Sequence, residues 1–208
     1  MPVIALVGNK GGVGKTTLAI NLAAGLARHG RTAILDTDPQ GSSAQWRSIA
    51  LDDTLPPVIA ATAELPGTVR NLRGQHDYVV VDCPPSVQAA QTLAILQSSD
   101  LVLIPVQPSP FDLWASVHIE NAVLEARNGN AALKALLVIN QLEPRTILSQ
   151  LMREALMEIQ VPVATTSIRR RAVYRASALE GRSVYAMGRR GATAVAEIDQ
   201  LIQEVTSQ

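Results

Sequence analysis

Short apolar runs alternate along this chain with longer segments in which apolar positions recur every three to four residues. The runs are Val3–Val7, Thr32–Leu35, Val58–Ala61, Tyr78–Val81, Leu101–Pro105, Ala135–Ile139 and Val161–Ala164. They are continuous rather than alternating, as expected of strands buried on both faces. The helical patterns fall near residues 16–29, 41–50, 64–74, 87–98, 112–127 and 146–159, then 171–180 and 191–206. Strand and helix in turn predict an α/β fold: a mostly parallel, twisted sheet with helices on both faces and right-handed crossovers. Pro56-Pro57 and Pro84-Pro85 punctuate loops. With no repeat and no interdomain linker, residues 1–208 are expected to form a single domain.

Several strands close on a polar residue: Asp36, Asp82 and Asn140. Ligands of parallel sheets sit beyond the carboxyl ends of the strands, so these side chains should share one crevice. The loop after the first strand opens at the same end. It reads Lys10-Gly11-Gly12-Val13-Gly14-Lys15-Thr16-Thr17 and runs directly into the first helical pattern. Glycines at 11, 12 and 14 let the backbone curl, turning successive N–H groups toward phosphate oxygens. The helix start near Lys15 adds its own N–H groups and dipole. Taken with Gly8 as its first glycine, the stretch reads as a phosphate loop. Lys15 would then reach the β- and γ-phosphates, Thr16 would ligate Mg²⁺ and Thr17 would touch the α-phosphate. Asp36 and Asp38 follow the second strand and suit Mg²⁺ waters and an attacking water; a turn or helix-cap role before Pro39 is the simpler alternative. Asp82 stands where such enzymes hold the water shell of Mg²⁺.

Composition narrows the setting. Hydrophobic residues make up 47% of the 208 and aromatics only 3%, so the core is aliphatic. No apolar run approaches the ~18 residues of a membrane span, and the N-terminus lacks the pattern of a secretion signal. Cys83 is the only cysteine, which excludes an internal disulfide and a four-cysteine metal site in one chain. His29, His76 and His118 have no metal-ligand spacing, and a cytoplasmic protein is expected. The 18 basic and 18 acidic residues cancel but are unevenly placed. Residues 165–191 hold seven arginines and one acid, giving +6 against −6 for the rest.

Lys10 to Thr17 resembles the deviant Walker A box of ParA-type partition ATPases. Asp36-Thr37-Asp38-Pro39-Gln40-Gly41 resembles their second box, and Val79-Val80-Val81-Asp82-Cys83-Pro84-Pro85 their Walker B. Ile104-Pro105-Val106-Gln107-Pro108-Ser109-Pro110-Phe111-Asp112-Leu113 is similar to a further block of the MinD/ParA superfamily. With no N-terminal extension before the first strand, the chain looks like the small, ParF-like subgroup that segregates plasmids. The resemblance implies ATP and Mg²⁺ as cofactors and ATP hydrolysis as the reaction. Nucleotide contacts would come from Gly11, Gly12, Val13, Gly14, Lys15, Thr16 and Thr17, with Asn140 reading adenine. Thr16, Asp36 and Asp82 would hold Mg²⁺, mostly through water. It also implies a homodimer closed by ATP, with a tendency to higher polymers. In it Lys10 neutralises phosphate charge on the partner's nucleotide. Lys15 would serve catalysis as well, and Asp38 would orient the attacking water. A centromere-binding protein would stimulate slow turnover.

The arginine segment admits three readings. Arg169, Arg170, Arg171, Arg175, Arg189 and Arg190 suit a nonspecific, salt-sensitive contact with the DNA backbone, which would make the protein nucleoid-associated. A solvated helix face paired to acids elsewhere is the plainer alternative. The third assigns one arginine to the nucleotide or dimer; relatives carry Ile-Pro-Arg here, and Arg169 stands in place of that proline. A MinD-like membrane-cycling ATPase is the main alternative function, but the last helical pattern carries Glu197, Asp199 and Glu204 and no basic residue, so no membrane contact is expected. A nitrogenase-iron-protein relative would need two cysteines, and the Asp-Pro-Gln box argues against a dethiobiotin-synthetase-like ligase. Trp46 and Trp114 are expected to pack on helices, with a dimer contact as the alternative for Trp114. Cys83 is expected to be a small buried residue.

Overall fold

The computed structural model describes residues 2–208 except 53–54, 63, 87–89, 145, 147–150, 152–154 and 157–158, and leaves side chains 90 and 110–117 undescribed. Six parallel strands form one sheet: β1 (Val3–Leu6), β2 (Thr32–Asp36), β3 (Val58–Ala60), β4 (Tyr78–Asp82), β5 (Leu101–Val106) and β6 (Lys134–Ile139). Their order across the sheet is β3-β2-β4-β1-β5-β6. The helices are α1 (Lys15–Leu26), α2 (Ser42–Ile49), α3 (Leu65–Gln75), α4 (Ala90–Ser98), α5 (Pro110–Arg127), α6 (Ala172–Leu179) and α7 (Ala192–Thr206), with a 3₁₀ segment at Val184–Arg190. The α/β fold expected from the sequence is therefore the fold observed.

Alternate strand residues face opposite layers. Ile4, Leu6, Ile34, Val80, Leu103 and Val138 pack with α1, Trp46 of α2, Tyr174 of α6 and the apolar side of α7. Val3, Ala5, Leu35, Val81, Val102 and Ile104 pack with α3, α4 and α5. β1, β2 and β5 are buried along their whole length. Helix α1 is buried nearly all round, because the sheet covers one side and α7 the other.

Two boundaries differ from expectation for physical reasons. The apolar run Val161–Ala164 is not a strand; it joins the edge of β6 through a single parallel bridge, Leu137 to Val163. Pro162 has no N–H to extend a ladder, and the two hydrogen bonds that form are Leu137 N to Pro162 O and Ala164 N to Leu137 O. Residues 184–190 form the 3₁₀ segment, kinked where Gly188 takes φ +55°. The helix expected over 146–159 and the start of that expected over 87–98 fall largely outside the described residues. The other segments agree with expectation to within a few residues.

Candidate functional site

The register of the sheet builds the site. Asp36 and Asp82 are direct partners on β2 and β4, and Leu6 at the end of β1 pairs with Asp82. The glycine-rich loop leaving β1 therefore opens beside both carboxylates. Gly12 (φ +80°) and Gly14 (φ +91°) occupy the left-handed region that other residues avoid. Gly14 is tight as well as left-handed: a Cβ there would lie 2.5 Å from Asn140 Nδ2. Gly8 stands six residues before Gly14, one more than the general phosphate-loop spacing; Asn9 occupies that template's first-glycine position. The loop is thus a variant of the general form, and Lys10 lies within it.

Side chains from strand ends hold the loop. Asn140, buried after β6, donates from Nδ2 to Val13 O at 2.7 Å. Gln107, after β5, donates to Gly12 O at 2.7 Å, and Gln141 does so at 3.1 Å. Neither glutamine was singled out in the sequence, although Gln107 lies inside the Ile104–Leu113 block. Both follow apolar strands, the one signal that marks them. Lys15 folds back across the loop, and its ammonium donates to Lys10 O at 2.9 Å. Burial lowers the Lys15 pKa, while the Asp82 charge opposes that shift. Lys10 itself is half-buried on the same loop.

The carboxylates differ in what holds them. Asp36 accepts from the amide of Asp38 at 3.1 Å and that of Ala44 at 3.0 Å. Both its oxygens thus shape the turn that carries Asp38 into α2. Its pKa is raised, burial outweighing these backbone bonds. The structure gives Asp36 a turn-building role first; the metal role expected of it gains no separate support. Asp38 is half-buried and accepts from Gln40 N at 2.9 Å. Asp82 is wholly buried, and Ser43 donates its hydroxyl to Oδ2 at 2.5 Å. Among the described residues Asp82 Oδ1 has no hydrogen-bond partner. Burial pushes the Asp82 pKa up to about 6, with Ser43 and Thr16 acting against it. Ser43, like the two glutamines, is a residue that sequence reasoning missed. It belongs to no acidic or glycine pattern, and only folding brings α2 over the end of β4. Cys83 is fully buried with its thiol pKa pushed far up, which makes it a packing residue.

A cavity of about 180 Å³ adjoins the loop. Gly14, Thr17, Asn140, Ile168, Tyr174 and Arg175 are among the residues that line it. Arg169, Arg170 and Arg171 line it too. The arginines differ in what holds them. Arg171 forms a forked pair with Glu197 of α7, with contacts of 2.6 Å from Nη2 and 3.2 and 3.1 Å from Nε. Arg169 lies 3.8 Å from the same carboxylate, and Arg170 pairs with Glu143 at 2.7 Å. Arg190 and Arg182 share Glu180. Arg175 and Arg189 have no ion pair among the described residues. The acidic residues of α7 serve this segment: Glu204 also accepts from the amides of Thr165 and Thr166 at 2.7 and 3.0 Å.

Residues 4–184 match the family model described as the CobQ/CobB/MinD/ParA nucleotide binding domain. The chain belongs to that family. Similarity to individual members of this nucleotide-binding family runs along most of its length. A "Maintenance of carboxysome distribution protein A" from Halothiobacillus neapolitanus is 43% identical over 205 residues, covering 97% of this chain and 95% of that protein. The "Chromosome-partitioning ATPase Soj" of Thermus thermophilus is 33% identical over 180 residues, covering 71% and 72%. Among solved structures, the septum site-determining protein MinD with Mg-ADP from Pyrococcus horikoshii superposes with a TM-score of 0.74 at 21% identity, covering 98% of this chain and 95% of that one. That likeness establishes the fold.

Proposed function

We propose that this protein is an ATP-driven dimerisation switch that distributes a large cargo over nonspecific DNA, and that the cargo is a carboxysome rather than a plasmid. The observation that carries the nucleotide half is the meeting of a left-handed glycine loop, Lys15 and the buried Asp82 at the carboxyl ends of adjacent strands. The cargo rests on 43% identity to a carboxysome distribution protein along 97% of the chain. That likeness replaces the ParF-like plasmid role expected from the motifs alone; the partner that stimulates hydrolysis would then be carried by the carboxysome instead of a centromere.

In this reading the loop N–H groups and Lys15 bind the phosphates, and Lys15 exchanges Lys10 O for a phosphate oxygen. Asp82 Oδ1, with no hydrogen-bond partner among the described residues, and Thr16 beside it would hold a Mg²⁺ ion, which would supply charge neutralisation to the phosphates. Asp38 orients the attacking water, and Asp36 holds the turn that presents it. Lys10 completes the site of the opposing subunit. Asn140 and the apolar wall of Ile168 and Tyr174 receive the base. Arg175 and Arg189, with no ion pair among the described residues, are the first candidates for DNA phosphate, joined by Arg169, Arg170 and Arg190.

A membrane-cycling role has less support. The apolar side of α7, including Ile198, Leu201 and Ile202, is buried against the body, and among the described residues no helix is long and apolar enough to cross a membrane. The test is a DNA mobility shift in ATP, ADP and no nucleotide, beside flotation with anionic liposomes. The proposal expects retention of DNA in ATP alone and no flotation. Flotation in ATP without DNA binding would replace it with the MinD-like role.

A further inference from the structure

Three large aliphatic side chains stand bare where two helices end. Leu51 is 99% exposed, Leu179 83% and Ile49 52%. Ile49 closes α2 and Leu179 closes α6, and the backbone just beyond the two helices is in direct contact. Gly181 takes φ +62°, and a Cβ there would lie 2.8 Å from Ile49 O and from Ala50 N. Ile49 and Leu51 flank Ala50, and Leu179 precedes Gly181 by two residues. Trp46, buried, donates from Nε1 to Arg182 O at 3.3 Å and ties the same joint. Single exposed aliphatics are ordinary, but a gathering of them on one joint marks an interaction surface.

Both elements reach the nucleotide site. Helix α2 carries Ser43, bonded to Asp82, and Ala44, whose amide holds Asp36. Helix α6 lines the cavity through Tyr174, Arg175 and Ala178. Pressure on the joint therefore bears on the carboxylates through α2 and on the cavity through α6.

Charge around the joint selects the occupant. Among the described residues its rim holds Arg47, Arg175, Arg182 and Arg190 against Asp52 and Glu180. A second copy of this surface would set like charge against like. DNA would answer the arginines and leave the aliphatics facing phosphate and water. A segment with acidic residues around a leucine-type stripe answers both. We propose that the α2–α6 joint docks an acidic amphipathic segment of a partner protein, and that docking adjusts the nucleotide site through α2. The docking stands apart from the ATPase reading; the adjustment rests on it.

The test uses two fluorescently labelled helical peptides with the same leucine spacing, one with glutamate and the other with lysine at the remaining positions. Binding is read by anisotropy without nucleotide, so a protein that never hydrolysed ATP would leave this arm intact. The glutamate peptide should bind at least about tenfold tighter than the lysine peptide. Its affinity should fall about tenfold in the Leu51→Ser/Leu179→Ser double variant, both sites being exposed and the fold checked by circular dichroism. In a Trp114→Phe background, docking should shift the emission of Trp46. Equal affinity of the two peptides, or unchanged affinity in the double variant, overturns the docking. Self-association abolished by the same double variant assigns the surface to a second copy and overturns it equally. A silent Trp46 on docking overturns the coupling.

Discussion

The loop-and-carboxylate site and the arginine segment are both concentrations of charge, and folding treats them differently. At the site the charged groups are held one by one by neutral groups: Asp36 by two amides of its own turn, Lys15 by Lys10 O, and Asp82 by the Ser43 hydroxyl of α2. In the segment the partners are carboxylates, one of them, Glu180, inside the segment and the others on distant elements. Arg171 and Arg169 meet Glu197 on α7, and Arg170 meets Glu143 after β6. A run that reads as one basic patch is thereby divided into a structural bridge, several exposed pairs and two arginines, Arg175 and Arg189, with no ion pair among the described residues. Charge placed by short-range spacing keeps its meaning from sequence to structure. Charge placed in a run acquires its meaning from whatever packs against it.

The largest expected effect sharpens the first side of this contrast. Lys15→Ala should lower phosphate release by about 10²–10³-fold, the loss seen when one donor to developing charge is removed. Turnover at the parental rate would break the phosphate-loop assignment.

Asp82 comes next. Its pKa rises from 3.8 to about 6 on folding, so between those values the folded state holds more protons than the unfolded one. This contribution to stability is present below about pH 4 and is lost as pH rises through about 6, amounting to roughly 3 kcal/mol. Thermal melts of Asp82→Asn without Mg²⁺ or nucleotide should show a flatter pH profile from 4 to 6 than the parent. Parallel profiles would mean that Asp82 is not forced to ionise in a buried place.

The second side is sharpened by pairing two arginine variants. Arg171→Ala leaves Glu197, 11% exposed at its side chain, without its forked partner and should cost about 1–2 kcal/mol in chemical denaturation. Arg175→Ala and Arg189→Ala should each change stability by less than about 0.5 kcal/mol. Each should also reduce the log–log salt slope of ATP-dependent DNA binding by about 0.9. If Arg171→Ala proved neutral for folding while altering the salt slope, the division of the segment would be wrong.

The same contrast explains what the sequence disclosed. The strands were readable because each is a continuous apolar run between polar punctuation, and the glycine loop because few backbones need that spacing. Asp36 and Asp82 were readable as strand-ending acids, yet their division of labour was not. Nothing in Ile34–Gly41 reveals that Ala44 N reaches back to Asp36. Ser43, Gln107 and Gln141 were missed for a related reason: each is a polar residue of ordinary type whose importance comes from the strand end it meets. Val161–Ala164 misled because apolar content signals a strand, whereas Pro162 removes the donor a ladder requires. In the arginine segment, the pairing of Arg171 with Glu197 across 26 residues was beyond any local pattern.

Completion of the site by a second subunit is read from the molar mass in solution, measured by light scattering. The protein is run with Mg-ADP and with Mg-ATP, as the parent and as Asp38→Ala. The expected result is a monomer in ADP, a dimer in ATP, and a dimer in ATP that persists in Asp38→Ala because hydrolysis no longer releases it. A monomer in ATP for both proteins, at concentrations that saturate nucleotide binding, would contradict it.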